Sequence, residues 1–123
     1  MSKTILHLDD EENIRQLMAT VLTRQGYTVR SVGTSLEAIA AMREAVPDLI
    51  ISDLQLRDAD GLTTIAQLRE LGPNVPVIML TGVLIDRRVA EATLGTLVAA
   101  YLEKTRPLTE ILAAITSLIG PGK

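Results

Sequence analysis

The feature that most constrains the fold is an alternation. Short apolar runs, Ile5–Leu8, Tyr27–Val32, Leu49–Ile51, Val75–Leu80 and Leu97–Leu102, alternate with segments whose apolar residues recur at helical spacing. Ile14, Leu17, Met18, Val21 and Leu22 follow the i, i+3, i+4 spacing of one helix face, and Gly26 reads as its stop. Leu36, Ile39 and Ala40 repeat the pattern behind Thr34-Ser35-Leu36-Glu37, which reads as a capping box. Leu62, Ile65, Leu68 and Leu71 form a third stripe, ended by Gly72-Pro73. Asp86 is placed to cap a short fourth helix running to Gly95. Pro107 stands where a last helix begins, with Leu108, Ile111, Leu112, Ile115, Leu118 and Ile119 expected inward.

This is a strand–helix unit five times over. Such alternation predicts an α/β fold: a parallel sheet with helices on both faces. Five strands suit the doubly wound, flavodoxin-like order 2-1-3-4-5, in which ligands bind beyond the carboxyl ends of the strands, near the switch point between strands 1 and 3. With 123 residues the chain is read as one domain, 1–123, in which 119–123 is a candidate start of a linker.

Composition narrows the chemistry. There is no cysteine, which excludes disulfides, thiolate zinc sites and thiol nucleophiles. The single histidine, His7, lies inside the first strand, where a satisfied core or edge residue is the expected reading. Tyr27 and Tyr101 are the only aromatic residues, too few for a base-stacking platform, and the net charge of −3 comes without a basic run. Direct contact with nucleic acid is therefore not expected. The longest apolar runs are far short of a membrane span, and Met1-Ser2-Lys3 leads straight into a strand, so the expected location is the cytoplasm.

The strand ends carry the functional signal. The third run, in the stretch DLIISDLQLRDADG, ends on the carboxylate of Asp53. The first ends in Asp9-Asp10-Glu11-Glu12, the fourth in Thr81-Gly82 and the fifth in Glu103-Lys104-Thr105. In the order 2-1-3-4-5, strands 1 and 3 are neighbours roughly 4.8 Å apart, so Asp10 and Asp53 face each other with Asp9 close by. Three carboxylates this close repel, and a hard divalent cation such as Mg²⁺, or Mn²⁺, relieves that repulsion through oxygen ligands. Thr81 adds a hydroxyl and Lys104 an ammonium, both able to hold an oxyanion on Asp53. Carboxylate nucleophile, metal, hydroxyl and lysine are the parts required for phosphoryl transfer. Each residue also has a plain structural reading: Asp53 as a turn former, Glu11 and Glu12 as first-turn acids, Thr81 as a strand residue, Lys104 as a surface charge and Tyr101 as core.

With Asp9-Asp10, Asp53, Asp60-Gly61, Thr81, Tyr101 and Lys104 in this order, the chain resembles the receiver domain of bacterial two-component response regulators over essentially its whole length. The resemblance implies that a histidine kinase or phosphotransfer protein presents a phosphohistidine and that Asp53 becomes an acyl phosphate. It implies that Asp10, Asp53 and the Gln55 carbonyl ligate Mg²⁺, with Asp9 nearby through water. Lys104 then contacts the phosphoryl group, Thr81 and Tyr101 act as the switch, and Gln55 and Val83 tune the lifetime of the phosphoryl group. Such a chain is not an enzyme acting on a separate substrate; it catalyses its own phosphorylation and dephosphorylation. The resemblance places output on the face of the fourth helix, fifth strand and fifth helix, and allows a homodimer.

The sequence departs from that pattern in four places. Thr105 stands where proline usually follows the lysine, and a cis bond before a non-proline residue costs ~2.5–4 kcal/mol, so the reach of Lys104 is in question. Arg57 replaces a frequent proline four residues after the phosphoacceptor. Leu97-Val98 stands for a small Gly-Ala pair. The stretch from Thr81 to Lys104 is one residue longer than usual. The departures around the fourth helix and fifth strand predict an ordinary catalytic site beside an irregular output face. The Lys104-Thr105 departure also keeps open a degenerate receiver that works as a phosphorylation-independent binding module. A haloacid-dehalogenase-like phosphatase is a remoter rival, because it requires a second Asp where Gln55 stands. A flavin carrier requires a phosphate loop where the chain has Asp9-Asp10-Glu11-Glu12.

Overall fold

The protein is described by a computed structural model over residues 3–82, 88, 92 and 96–122. The elements run β1 (Thr4–Leu8), α1 (Glu12–Arg24), β2 (Thr28–Val32), α2 (Ser35–Glu44), β3 (Leu49–Ser52), α3 (Gly61–Leu71), β4 (Val77–Thr81), β5 (Ala100–Glu103) and a C-terminal helix (Leu108–Ile119). Of the expected fourth helix only residues 88 and 92 are among the described residues; its Asp86 cap, and Val83, lie outside them.

The strands form one parallel sheet in the order β2-β1-β3-β4-β5. β3 and β4 are buried at every position, as central strands covered on both faces must be. Strand alternation divides the core into two layers. Ile5, Leu49, Ile51, Ile78 and Leu80 face α1 and the C-terminal helix, among Met18, Leu22, Ile111 and Ile115. Leu6, Leu8, Ile50, Val77 and Met79 pack on the other side with Ala38, Met42, Ile65 and Leu68 of α2 and α3. Each fully buried aliphatic side chain contributes about 1.5–3 kcal/mol, so the two layers hold the strand ends firmly.

Several boundaries and faces differ from expectation. β5 starts at Ala100 rather than at Leu97: Leu97 and Val98 come before the strand and pack into the α2–α3 layer, Val98 almost fully buried. β4 starts after Pro76, which has no N–H to give a ladder, and Tyr27 sits in the turn before β2. The buried face of α2 is Ser35, Ala38, Ala41 and Met42, and Leu36 is 74% exposed. Leu17, Leu108 and Leu118 are also exposed rather than inward. Small residues on α2 let that helix approach the sheet closely, and this outweighs the hydrophobicity of Leu36.

The helix ends follow the sequence more closely. Thr34 caps α2 by accepting from the Glu37 N–H at 3.1 Å; Glu37 turns its carboxylate to the Thr34 hydroxyl, so the box closes side chain to side chain. Gly26 has φ 96°, as a turn after a helix requires. Asp60 caps α3 through the Thr63 N–H at 3.0 Å. Gly61 is required sterically: a Cβ there would lie 2.7 Å from the Asp53 carbonyl oxygen and closer still to that of Leu54. The Asp60-Gly61 pair thus turns the chain tightly under Asp53.

Candidate phosphoacceptor site

The carboxyl ends of β1, β3 and β5 bring Asp9, Asp53 and Lys104 together. Lys104 Nζ lies 2.9 Å from Asp53 Oδ2 and 2.8 Å from Asp9 Oδ2, with Glu11 Oε1 further off at 3.8 Å. There is no cis peptide among the described residues, yet Lys104 reaches both carboxylates. The loop is anchored by the Lys104 N–H donating to the Thr81 carbonyl at 2.8 Å, and β5 itself aims the side chain. Ala100 and Leu102 face the α1 layer, and Lys104 continues that alternation toward Asp53.

Burial alone would lower the Lys104 pKa, but Asp9 and Asp53 outweigh it through hydrogen bonding and charge attraction, so the net shift is upward. The ammonium is therefore held charged between two nearly buried carboxylates. Asp53 Oδ1 also accepts from the Gln55 N–H at 3.3 Å, and Asp9 Oδ1 accepts from the Glu11 N–H at 2.9 Å.

Asp10 is the most open of the three aspartates. One carboxylate oxygen each of Asp9, Asp10 and Asp53 lies within 4.8 Å of the others. Lys104 Nζ is the ion-pair partner of Asp9 Oδ2 at 2.8 Å, so one ammonium is shared between two of the three carboxylates. An all-oxygen set of three clustered carboxylates fits a hard divalent cation such as Mg²⁺, Mn²⁺ or Ca²⁺.

Thr81 is fully buried at the end of β4, opposite Glu103 in the β4–β5 register. Alternation groups it with Val77 and Met79 on the α2–α3 face, and Tyr101 packs against that same layer from β5, paired with Met79. The two expected switch residues therefore share one face of the sheet. Gln55 lies in the exposed loop after β3 and bridges to Asp60.

The sequence reading missed three contacts. Arg15 Nη1 donates to the Asp9 carbonyl at 2.6 Å, and Gly33 makes room for it, since a Cβ there would sit 3.0 Å from that nitrogen. Asp58 accepts from the Ser35 N–H and hydroxyl, and so ties the β3–α3 loop to the start of α2. Its carboxyl is held below the usual range chiefly by the Ser35 N–H. Arg57 Nε lies 3.6 Å from Asp10 Oδ2. No helix or strand periodicity signals these contacts: Asp58–Ser35 and Arg57–Asp10 join different strand–helix units, and Arg15–Asp9 reaches back from α1 to the end of β1.

His7 is buried, but its Nδ1 has no hydrogen-bond partner, so it is not the satisfied core histidine expected. Burial first, then the nearby charges of Lys104 and Arg15, push its pKa down from 6.5 to about 4, against a smaller opposing pull from Asp53. The sign is fixed by linkage: as pH falls from 6.5 towards 4, the unfolded chain takes up a proton that the folded chain refuses. The stability contributed by neutral His7 is complete above pH 6.5, and about 3 kcal/mol of it is lost by pH 4. Urea unfolding at pH 7 and pH 5 checks this: a His7→Val variant should lose clearly less stability over that interval than the wild type, and equal losses would contradict it.

Comparison with known proteins agrees with this geometry. Residues 5–116 match the response regulator receiver domain family, and the chain belongs to it. It is 30% identical over 117 residues to the probable transcriptional regulatory protein TcrX of Mycobacterium tuberculosis, covering 94% of this chain and 49% of that protein. It is 32% identical over 120 residues to the response regulator MprA of Mycobacterium ulcerans, covering 97% of this chain and 51% of that one. The chain thus spans about half the length of these relatives. A receiver domain protein from Methanospirillum hungatei superposes with a TM-score of 0.88 at 26% identity, covering 95% of this chain and 93% of that one. A response regulator protein from Burkholderia pseudomallei, crystallised with a phosphorylated aspartic acid, calcium ion and citrate, superposes with a TM-score of 0.82 at 32% identity, covering 91% and 65%. Among the described residues no helix is long and apolar enough to cross a membrane.

Proposed function

We propose that this receiver accepts a phosphoryl group on Asp53 from a phosphohistidine of a histidine kinase or phosphotransfer protein. The observation that carries the reading is the Lys104–Asp53 contact at 2.9 Å beside the Asp9–Asp10 pair. An Asp53 oxygen attacks phosphorus; the new P–O bond forms as the N–P bond breaks, and the histidine nitrogen leaves with the bonding pair and takes a proton. Lys104 keeps its positive charge where the transferred group gains negative charge. Asp10, Asp53 and the Gln55 carbonyl would hold Mg²⁺ or Mn²⁺, with Asp9 behind them. When bound, the ion supplies charge neutralisation for the phosphoryl oxygens. Thr81 and Tyr101, on one face, relay the change toward β5 and the elements beside it. Water later attacks phosphorus, the bond from phosphorus to the Asp53 oxygen breaks, and inorganic phosphate leaves with Asp53 restored as a carboxylate, with Gln55 and Val83 setting the rate. The phosphorylated aspartate and calcium of the Burkholderia relative support this reading. The feature behind the binding-module alternative was Thr105, and it does not keep Lys104 from Asp53.

The test is intact mass after incubation with acetyl phosphate. A gain of one phosphoryl group that requires Mg²⁺ is expected. No gain while the metal still binds would defeat the reading and leave a receiver that signals by binding alone.

A further inference from the structure

The four charges at the site do not share their cations evenly. Lys104 serves Asp53 and Asp9, the two nearly buried carboxylates, and touches Glu11 at longer range. Asp10, the open one, is paired instead with Arg57. The Arg57 side chain is 82% exposed, and Asp10 is its described partner. It projects from the loop after β3 over a cleft of about 530 Å³ also lined by Glu11, Glu12, Asn13 and Arg15.

We infer that Arg57 is a tethered cation that competes with the divalent metal for Asp10 at the mouth of the site. The inference rests on the metal reading above. A metal ligated by Asp10 places two positive charges beside the guanidinium, which must then withdraw. Little holds Arg57 in place, so the movement costs little, and Glu11 and Glu12 along the cleft offer it carboxylates elsewhere. Arg57 therefore sets the metal affinity without being a ligand. It also leaves the mouth of the site less negative while the metal is absent.

The pair is exposed, so its effect is modest and sensitive to salt. Calorimetric titration of the unphosphorylated protein with MnCl₂ at low ionic strength is the test. Removal of Arg57 in an Arg57→Ala variant should tighten binding about two- to fivefold, the range expected for an exposed ion pair. Arg43→Ala, in the last turn of α2 at the opposite end of the sheet, removes the same charge and should leave the affinity unchanged. The gain from Arg57→Ala should shrink as KCl is raised. Equal affinities for wild type and Arg57→Ala, weaker binding by the variant, or an equal gain from Arg43→Ala would overturn the inference. If wild type binds no Mn²⁺ but the variant does, competition is stronger than inferred and the proposal stands; if neither binds, the metal reading itself fails.

Discussion

Asp53→Asn is expected to abolish phosphorylation while leaving the fold intact. The amide matches the carboxylate in shape, and β3 is fixed by Leu49, Ile50 and Ile51, none of which has exposed surface. An amide oxygen carries no full charge and cannot form the acyl phosphate, so the reaction should fall below detection rather than slow by degrees. The variant should also bind Mn²⁺ at least about tenfold more weakly, because one of three anionic oxygens becomes neutral. Circular dichroism should show the wild-type helix content. A variant still phosphorylated at the wild-type rate would place the acceptor elsewhere.

Lys104→Met carries the second large effect, and it acts on stability and chemistry together. Removal of the ammonium leaves Asp9 and Asp53 nearly buried and mutually repelling. Breaking a buried pair by deleting one partner costs about 3–5 kcal/mol, and the partial solvent access of the Lys104 tip brings the expectation down to about 2–3 kcal/mol. In a chain of this size that is a fall in Tm of roughly 10 °C. Mg²⁺ should restore most of it, because a cation on the same carboxylates replaces the lost charge, so the variant should be stabilised by Mg²⁺ more than the wild type is. Phosphorylation should slow about a hundredfold through loss of charge stabilisation on the transferred group. An unchanged Tm in metal-free buffer would mean that the Lys104 contacts contribute nothing to the folded state.

Much of this arrangement was legible in the residues because it obeys local rules. A buried strand ending on Asp53, an acid pair ending the first strand and a lysine ending the fifth are features of single elements, and a parallel sheet puts such ends side by side. The Asp60-Gly61 pair was legible as part of the resemblance, although the Asp60 cap on α3 became specific only with the backbone in view. What escaped was set by packing between units. The buried face of α2 follows from how closely the helix approaches the sheet, which favours Ala38 and Ala41 over Leu36. The start of β5 depends on Leu97 and Val98 finding room in the α2–α3 layer. The Asp58–Ser35 and Arg57–Asp10 contacts cross from one strand–helix unit to another, and Arg15–Asp9 depends on how α1 packs back over the end of β1. His7 was misjudged because an orphaned ring nitrogen depends on all the neighbours of a side chain. The expected irregularity of the output face falls largely on residues 83–95, outside most of the described chain.

The central claim is that Asp53 itself carries the phosphoryl group. Borohydride reduces an aspartyl phosphate to homoserine, so the protein would be treated with acetyl phosphate and Mg²⁺, reduced, digested and mapped by peptide mass. Homoserine at position 53, absent without Mg²⁺, is the predicted result. Phosphate found on another residue, or an unmodified Asp53 in protein that has gained phosphoryl mass, would contradict the account.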